Sequence, residues 1–534
     1  MLLFLSFVWT LIGLCCIWPN DFTWLGYVNV SNDLSQHLSG WYAFVADRWR
    51  FPLLKTILLD YPVGTNISLT DSIPLFALIF KSFRFFLPSD FNYFSLFFIV
   101  CYGAQALAAM CLACSLNQRN ILAVTSFVLF ALSAPILSHQ IANEDSLGCQ
   151  CLILFAFSLY FSNHYQRLHL MQLQGYFGLL IALSLLIHPY FTAMIYPIYL
   201  LSLYEYQKKT ASIWESTLYV HALIALEFMI FGLAEGAGVV AGFGYYTMNL
   251  LAPFYGGMFF HDQSVMAGPG QKEGFAYMGL GLILLFPIAL YCVRGRFRSL
   301  MHTYRGLLIL MLLFFIYAIY GLIALGHWVI AHYTSPLFFL TYSFRMNGRF
   351  FWPCIYIFMS FSIVALLKKA PKSACVVLPL LIVLQLFDTA GYARDLRSNL
   401  QTVMHPFSEH QQQIMALMRQ SKIVIYQPVM NCLSMTPNAD HLLIQTQYLA
   451  AYTHTPMNTA YTAHYVQEIN CPDDTLRFKH IYPQLLVSDI EAPSVEIQTL
   501  LQSDPRACKM IDHGYYCLSL LSGLIEDSQA TSQH

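Results

Sequence analysis

Four stretches of this 534-residue chain combine residue types and spacings that could do chemistry. Asp33 stands three positions before Gln36-His37, and Asp71 sits in Thr70-Asp71-Ser72, just ahead of Pro74. His139-Gln140-Ile141-Ala142-Asn143-Glu144-Asp145 packs a histidine, two amides and two acids into one short turn. Arg345 and Arg349 are four apart, so a helix there would carry both guanidiniums on one face. A carboxylate partly shielded from water can take a proton or hold a cation. Arginine offers phosphate oxygens a planar, permanently charged fork. Each group also has a plainer reading. Asp33 would cap a helix starting near Leu34, Asp71 would cap a helix over 73–87, and the arginines would reach for lipid headgroups. His188, Tyr190, Gln271 and Glu273 lie beside apolar runs and could orient a ligand. A divalent cation could be held by the acids, although no residue pattern specifies one.

The elements that must position these groups are mostly apolar helices. Hydrophobic residues make up 57% of the chain and charged residues only 10%, with 27 basic and 28 acidic side chains. Soluble domains carry charge on about a quarter of their residues. The composition therefore excludes a cytosolic enzyme, a nucleic-acid binder and a disordered scaffold. About 20 apolar residues cross a bilayer core. The runs at 1–18, 92–116, 121–138, 147–162, 174–187, 191–206, 216–233, 277–293, 306–326, 352–368 and 373–388 predict about eleven spans, the first uncleaved. The 73–87 stretch is too short to cross and carries Lys81 and Arg84, so it is expected to lie in the interface. Basic residues of the short loops then collect on one side, which predicts a cytoplasmic amino terminus. Most acidic residues before 388 fall on the outer side.

From residue 389 the apolar runs stop and the charge turns acidic, with 8 basic and 13 acidic residues. Short β-like runs (Ile423–Tyr426, Leu485–Val487, Gly514–Leu518) alternate with helical patterns at 410–419 and 441–452. The expected organisation is a mainly α, polytopic membrane helical bundle over 1–388 and a small extracytoplasmic α/β domain over 389–534. Cys432, Cys471, Cys508 and Cys517 of that domain could form up to two disulfides. Cys508 with Cys517, flanking a hairpin pattern, is one pairing among three connectivities; buried free thiols are the alternative.

Four motifs in order resemble the GT-C superfamily of polytopic glycosyltransferases, and more closely an uncharacterised bacterial group of GT-C-like proteins. They are Asp33-Leu34-Ser35-Gln36-His37 with Gly40-Trp41, the Tyr61-Pro62-Val63-Gly64 to Pro74 run, Gly270 to Gly281, and Phe344 to Trp352. The resemblance covers most of 1–388. It implies transfer of a sugar, with inversion, from a polyprenyl-phosphate-linked donor to a glycan, lipid or protein acceptor at the periplasmic face of a bacterial inner membrane. It implies further that Asp33 is the first-loop catalytic acid and that Glu144 or Asp145 is the second-loop acid; with such a donor, Arg345 and Arg349 are expected near its phosphate by their own chemistry. The second loop departs from the pattern by placing its acids a turn late. Two other readings fit the same residues: a transporter or flippase of lipid-linked sugars, and a non-enzymatic component of envelope assembly.

Overall fold

The computed structural model describes residues 8, 32–143, 145–207, 213–234, 244–259, 266–333, 344–399, 407–432, 437–463, 478, 481–491 and 493–519. By internal packing the chain forms two compact units. One comprises 1–25, 94–226 and 240–401; the other comprises 26–93, 227–239 and 402–534.

The first unit is a bundle of apolar helices. Among the described residues of the chain, seven helical stretches are long and apolar enough to cross a membrane: Phe94–Ser115, Ile121–Asn143, Asp145–His164, Leu170–Ile187, Leu280–Thr303, Asn347–Lys369 and Pro371–Asp388. Two shorter apolar helices cover Thr217–Phe231 and Arg305–Ile319, and another helix runs from Pro189 to Gln207. These overlap every expected span except 1–18, of which only Val8 is described. Local chemistry sets several ends: Asn120 caps the second stretch by accepting from the Ala123 N–H at 2.7 Å. Inside the bundle, some polar side chains tie helices together. Gln105 Nε2 donates to the Ala131 carbonyl (3.2 Å) and to the Tyr356 hydroxyl (3.1 Å).

Two expectations are corrected here. The run expected to span 306–326 ends as a helix at Ile319 and continues as an antiparallel hairpin, Leu322–Leu325 with Trp328–His332. Gly321 and Gly326 both adopt positive φ, a conformation that stops the helix and turns the hairpin. The polar turn expected at 139–146 is instead largely helical. The helix restarted at Pro135 continues to Asn143, and a 3-10 turn covers Asp145–Gly148.

The second unit contains a four-stranded sheet. Ile423–Tyr426 runs parallel to Gln484–Asp489, which pairs antiparallel with Gly514–Ser519, and Cys508–Ile511 forms the far edge. A parallel pair needs a crossover, and the Pro437–Tyr452 helix lies within it. Ile423, Ile425, Leu486, Ile497 and Cys517 form the core beneath the sheet, with Tyr61 packed against it. Cys508 and Cys517 stand directly opposite each other and are disulfide-bonded. Cys432 is also disulfide-bonded; Cys471 lies outside the described residues.

Packing divides the chain differently from composition. Residues of the long first loop belong with those after 402. Main-chain bonds join Met457 N–H to the Leu58 carbonyl (2.9 Å) and Tyr61 N–H to the Met457 carbonyl (2.8 Å). Gln447 Nε2 on the Pro437–Tyr452 helix donates to Ser39 Oγ (2.6 Å) on the Asn32–Ala46 helix. The stretch over 73–87 is not a span: a nine-residue helix, Pro74–Ser82, is followed by a 3-10 turn at Arg84–Phe86.

Candidate functional site

Within the bundle unit, the last two motifs cross each other. Gly348 packs on Gly274 so closely that a Cβ on Gly348 would lie 2.6 Å from the Gly274 Cα. Gly348 N–H also donates to the Tyr246 carbonyl (3.2 Å), and Trp352 Nε1 donates to the Phe275 carbonyl (3.1 Å). This crossing sets Arg349 beside Glu273, with Nη2 donating to Oε2 at 3.2 Å. The arginine side chain is 2% exposed and the carboxylate 36%. A guanidinium taken so far from water requires negative charge or carbonyl dipoles around it.

Aromatic rings wall this cation. Tyr190 lies 5.2 Å from the Arg349 guanidinium carbon, and its hydroxyl accepts from the Met346 N–H at 2.9 Å. His188 Nδ1 accepts from the Tyr190 N–H (3.3 Å), which ties the His188-Pro189-Tyr190 corner together. His139 stacks on Phe275 with ring centroids 4.0 Å apart, and Tyr392 meets both rings edge-on. Arg345 does not share a helical face with Arg349, because the 3-10 helix begins only at Asn347. It lies over Tyr246 instead, at 5.4 Å. Burial raises the Tyr246 phenol above its usual value, and the charges of Arg345, Glu273 and Arg349 all bear on it. His139, Tyr190, Glu273, Arg345 and Arg349 are thus brought together within one unit.

Gln271 is fully engaged in shaping the loop. Its Oε1 accepts from Asn249 Nδ2 (3.0 Å) and Ala267 N–H (3.1 Å), and its Nε2 donates to Thr247 Oγ1 (3.4 Å). Asp145 is buried near Cys101. Glu144 lies outside the described residues. Sequence reasoning passed over Asp388, which ends a span. Its buried carboxylate accepts from Tyr277 Oη (2.7 Å), Leu280 N–H (3.0 Å) and Met258 N–H (3.1 Å), anchoring the loop that leads into the Gly270–Gly281 motif. An acid at the end of an apolar run is the signal that could have found it.

In the other unit, the first two motifs also meet at a glycine. A Cβ on Gly40 would lie 2.0 Å from Thr70 Oγ1 and 2.1 Å from Ser72 Oγ. Ser72 Oγ donates to the His37 carbonyl (2.6 Å), and Gln36 and His37 are buried. Asp33 is exposed in the first turn of the Asn32–Ala46 helix, where the helix dipole favours a carboxylate. Asp71 does not cap the following helix. It ends the 3-10 turn at Ile67–Thr70 in a left-handed conformation, and Ile73 takes the cap position with Pro74 after it.

A third group in this unit is electrostatic. Burial opposes the charge of Asp47, but bonds from Arg50 and from the Ile57 and Arg48 N–H groups outweigh it and hold the carboxyl below its usual range. Lys81 is 1% exposed, with its ammonium 3.7 Å from the Phe44 ring centre and 4.7 Å from that of Trp49. Burial pushes it down to about 7, against the upward pull of Asp47. Among the described residues, no cluster of three or more His, Cys, Asp or Glu side chains could hold a metal ion.

Residues 1–390, which contain all four motifs, match the family model described as "Domain of unknown function (DUF6311)". The chain belongs to that family. No protein of curated function matches this DUF6311 member. Among solved structures, ArnT from Cupriavidus metallidurans bound to undecaprenyl phosphate aligns with a TM-score of 0.45 and 11% identity, over 97% of this chain and 98% of its own. The archaeal oligosaccharyltransferase AglB from Archaeoglobus fulgidus, in complex with an inhibitory peptide and a dolichol-phosphate, aligns with a TM-score of 0.40 and 12% identity, over 92% of this chain and 69% of its own.

Proposed function

We propose that this DUF6311 member is a membrane glycosyltransferase that takes a sugar from a polyprenyl-phosphate-linked donor. The observation that carries the reading is the buried Arg349, set beside Glu273 and walled by Tyr190 where two of the GT-C-like motifs cross. A fixed guanidinium lined by rings suits a leaving phosphate and the sugar it releases. The acceptor hydroxyl attacks the anomeric carbon, the bond from that carbon to the phosphate oxygen breaks, and the polyprenyl phosphate departs with the electron pair. Asp33 takes the hydroxyl proton, a role that rests on its place in the first motif. Arg345 and Arg349 neutralise the phosphate as its charge grows. His139, His188, Tyr190, Gln271 and Glu273 position the sugar or shape the loop around it, while Gln36, His37 and Asp71 serve the acceptor side. Glu144 or Asp145 fills the second-loop position. The reading places the work at the outer face of a bacterial inner membrane.

The test is an assay of the purified full chain in lipid with radiolabelled polyprenyl-phosphate sugar and a mixed envelope extract as acceptor. Transfer by the wild type and its loss, by at least 100-fold, in Asp33→Asn and Arg349→Gln supports the reading. Label that crosses the bilayer without changing its covalent form supports a flippase instead.

A further inference from the structure

A cavity that includes one arginine and one histidine in its lining lies entirely within the sheet-containing unit, and the proposed transfer does not use it. It has a volume of about 330 Å³, and its lining includes Trp41, Arg84, Phe85, Ser89, Phe91 and His454. The Asn32–Ala46 helix rises about 1.5 Å per residue, so Trp41 sits about 12 Å along it from Asp33. The cavity is therefore separate from the end of the helix that carries Asp33.

The polar part of the wall is preset. Arg84 Nη1 donates to the Val45 carbonyl (3.3 Å) and the Asp47 carbonyl (2.8 Å), which fixes the plane of the guanidinium. Its Nε and Nη2 make no hydrogen bond among the described residues, so one edge of the fork is available to a ligand. His454 stands at a left-handed backbone position, uncommon for a non-glycine residue, and its ring makes no hydrogen bond there either. The Trp41 indole N–H is spent on the Phe91 carbonyl (2.8 Å), so the ring offers the cavity only apolar surface.

The segment that contributes Arg84 and Phe85 to the cavity exposes aromatic rings. Phe83, Phe85 and Phe86 are 54%, 84% and 85% exposed, whereas the polar side of the same segment, Lys81 and Arg84, turns inward. Such an inverted segment, on a chain with membrane-spanning helices, is at rest only when hydrocarbon covers the rings. An anion-binding wall beside a hydrocarbon-seeking segment fits a molecule with both parts.

We propose that this cavity seats the phosphate-ester headgroup of a membrane amphiphile, with Arg84 and His454 on the phosphate and the tails over Phe83, Phe85 and Phe86. The assignment does not depend on the glycosyltransferase reading.

Isothermal titration of the full chain in detergent tests it with three probes: dihexanoyl phosphatidic acid, dihexanoylglycerol and inorganic phosphate. The expected result is saturable binding of the phosphatidic acid alone, weakened at least 10-fold by Arg84→Gln and at least 3-fold by His454→Gln. Arg84→Gln removes two main-chain contacts and could impair folding. His454→Gln alters a ring without hydrogen bonds and keeps the test decisive. Unchanged phosphatidic acid binding in a folded His454→Gln protein overturns the site. Equal binding of inorganic phosphate overturns the lipid source, and equal binding of dihexanoylglycerol overturns the role of the phosphate.

Discussion

Gly348→Ala is the sharpest probe of the crossing that places Arg349. A Cβ there would sit 2.6 Å from the Gly274 Cα, 2.9 Å from the Met248 nitrogen and 3.1 Å from the Tyr246 oxygen. All three are main-chain atoms, so no side chain can swing aside. Relief requires one backbone segment to move by about 1 Å from contacts that normally lie near 3.5–4.0 Å. Overpacking of this kind costs about 1–3 kcal/mol, with the upper part of that range expected against rigid backbone. The shift would also break the Gly348 N–H bond to the Tyr246 carbonyl and draw Arg349 from Glu273. Gly175→Ala is the matched control, because nothing lies within 4 Å of its new Cβ. In detergent, thermal unfolding of Gly348→Ala should fall several degrees below wild type while Gly175→Ala stays within a degree or two. Equal midpoints for Gly348→Ala and the wild type would refute the close crossing and the placement of Arg349 that follows from it.

Two further outcomes follow from the sheet-containing unit. Folding lowers Lys81 from an ordinary 10.5 to about 7. Below pH 7 the ammonium is charged in both states and the native state carries the full burial cost; as pH rises from 7 towards 10.5 the native state sheds its proton first and gains stability. Lys81→Met should therefore stabilise the protein by about 2 kcal/mol at pH 6, after the rings' attraction for the cation is discounted, with the gain fading towards pH 10. Denaturant melts at pH 6, 8 and 9.5 measure this, and a gain that grows with pH contradicts it. Cys508 and Cys517 lie nine positions apart in the chain. Replacing both by alanine should cost about 2.5 kcal/mol by loop-closure entropy, read from the same melts with and without reductant. Reductant should then weaken the wild type more than the double variant.

Much of the architecture was legible because lipid imposes a strict length and apolarity on each crossing element. The helices from Phe94 to Asp388 fall where the apolar runs predict them, and the errors have local causes. Apolarity alone cannot separate the end of a helix at Ile319 from the hairpin that follows, since both are hydrophobic; the turning information resides in Gly321 and Gly326. Helical spacing misplaced Arg345, because a 3-10 segment starting at Asn347 gives it a different direction. The cap expected of Asp71 failed because that residue closes the preceding turn instead.

The sequence by itself determined that this chain is a membrane protein. It also located the glycine-rich segments, because composition and residue order are local properties. Only the tertiary structure decided that these segments meet in pairs, Gly40 against Thr70 and Ser72, and Gly348 against Gly274. Only it showed that the first loop is built into the unit holding the C-terminal sheet, through bonds such as Met457 to Leu58. The absence of a side chain is visible in any sequence, but the surface that takes up the space comes from residues tens or hundreds of positions away. Packing alone brings those residues into contact.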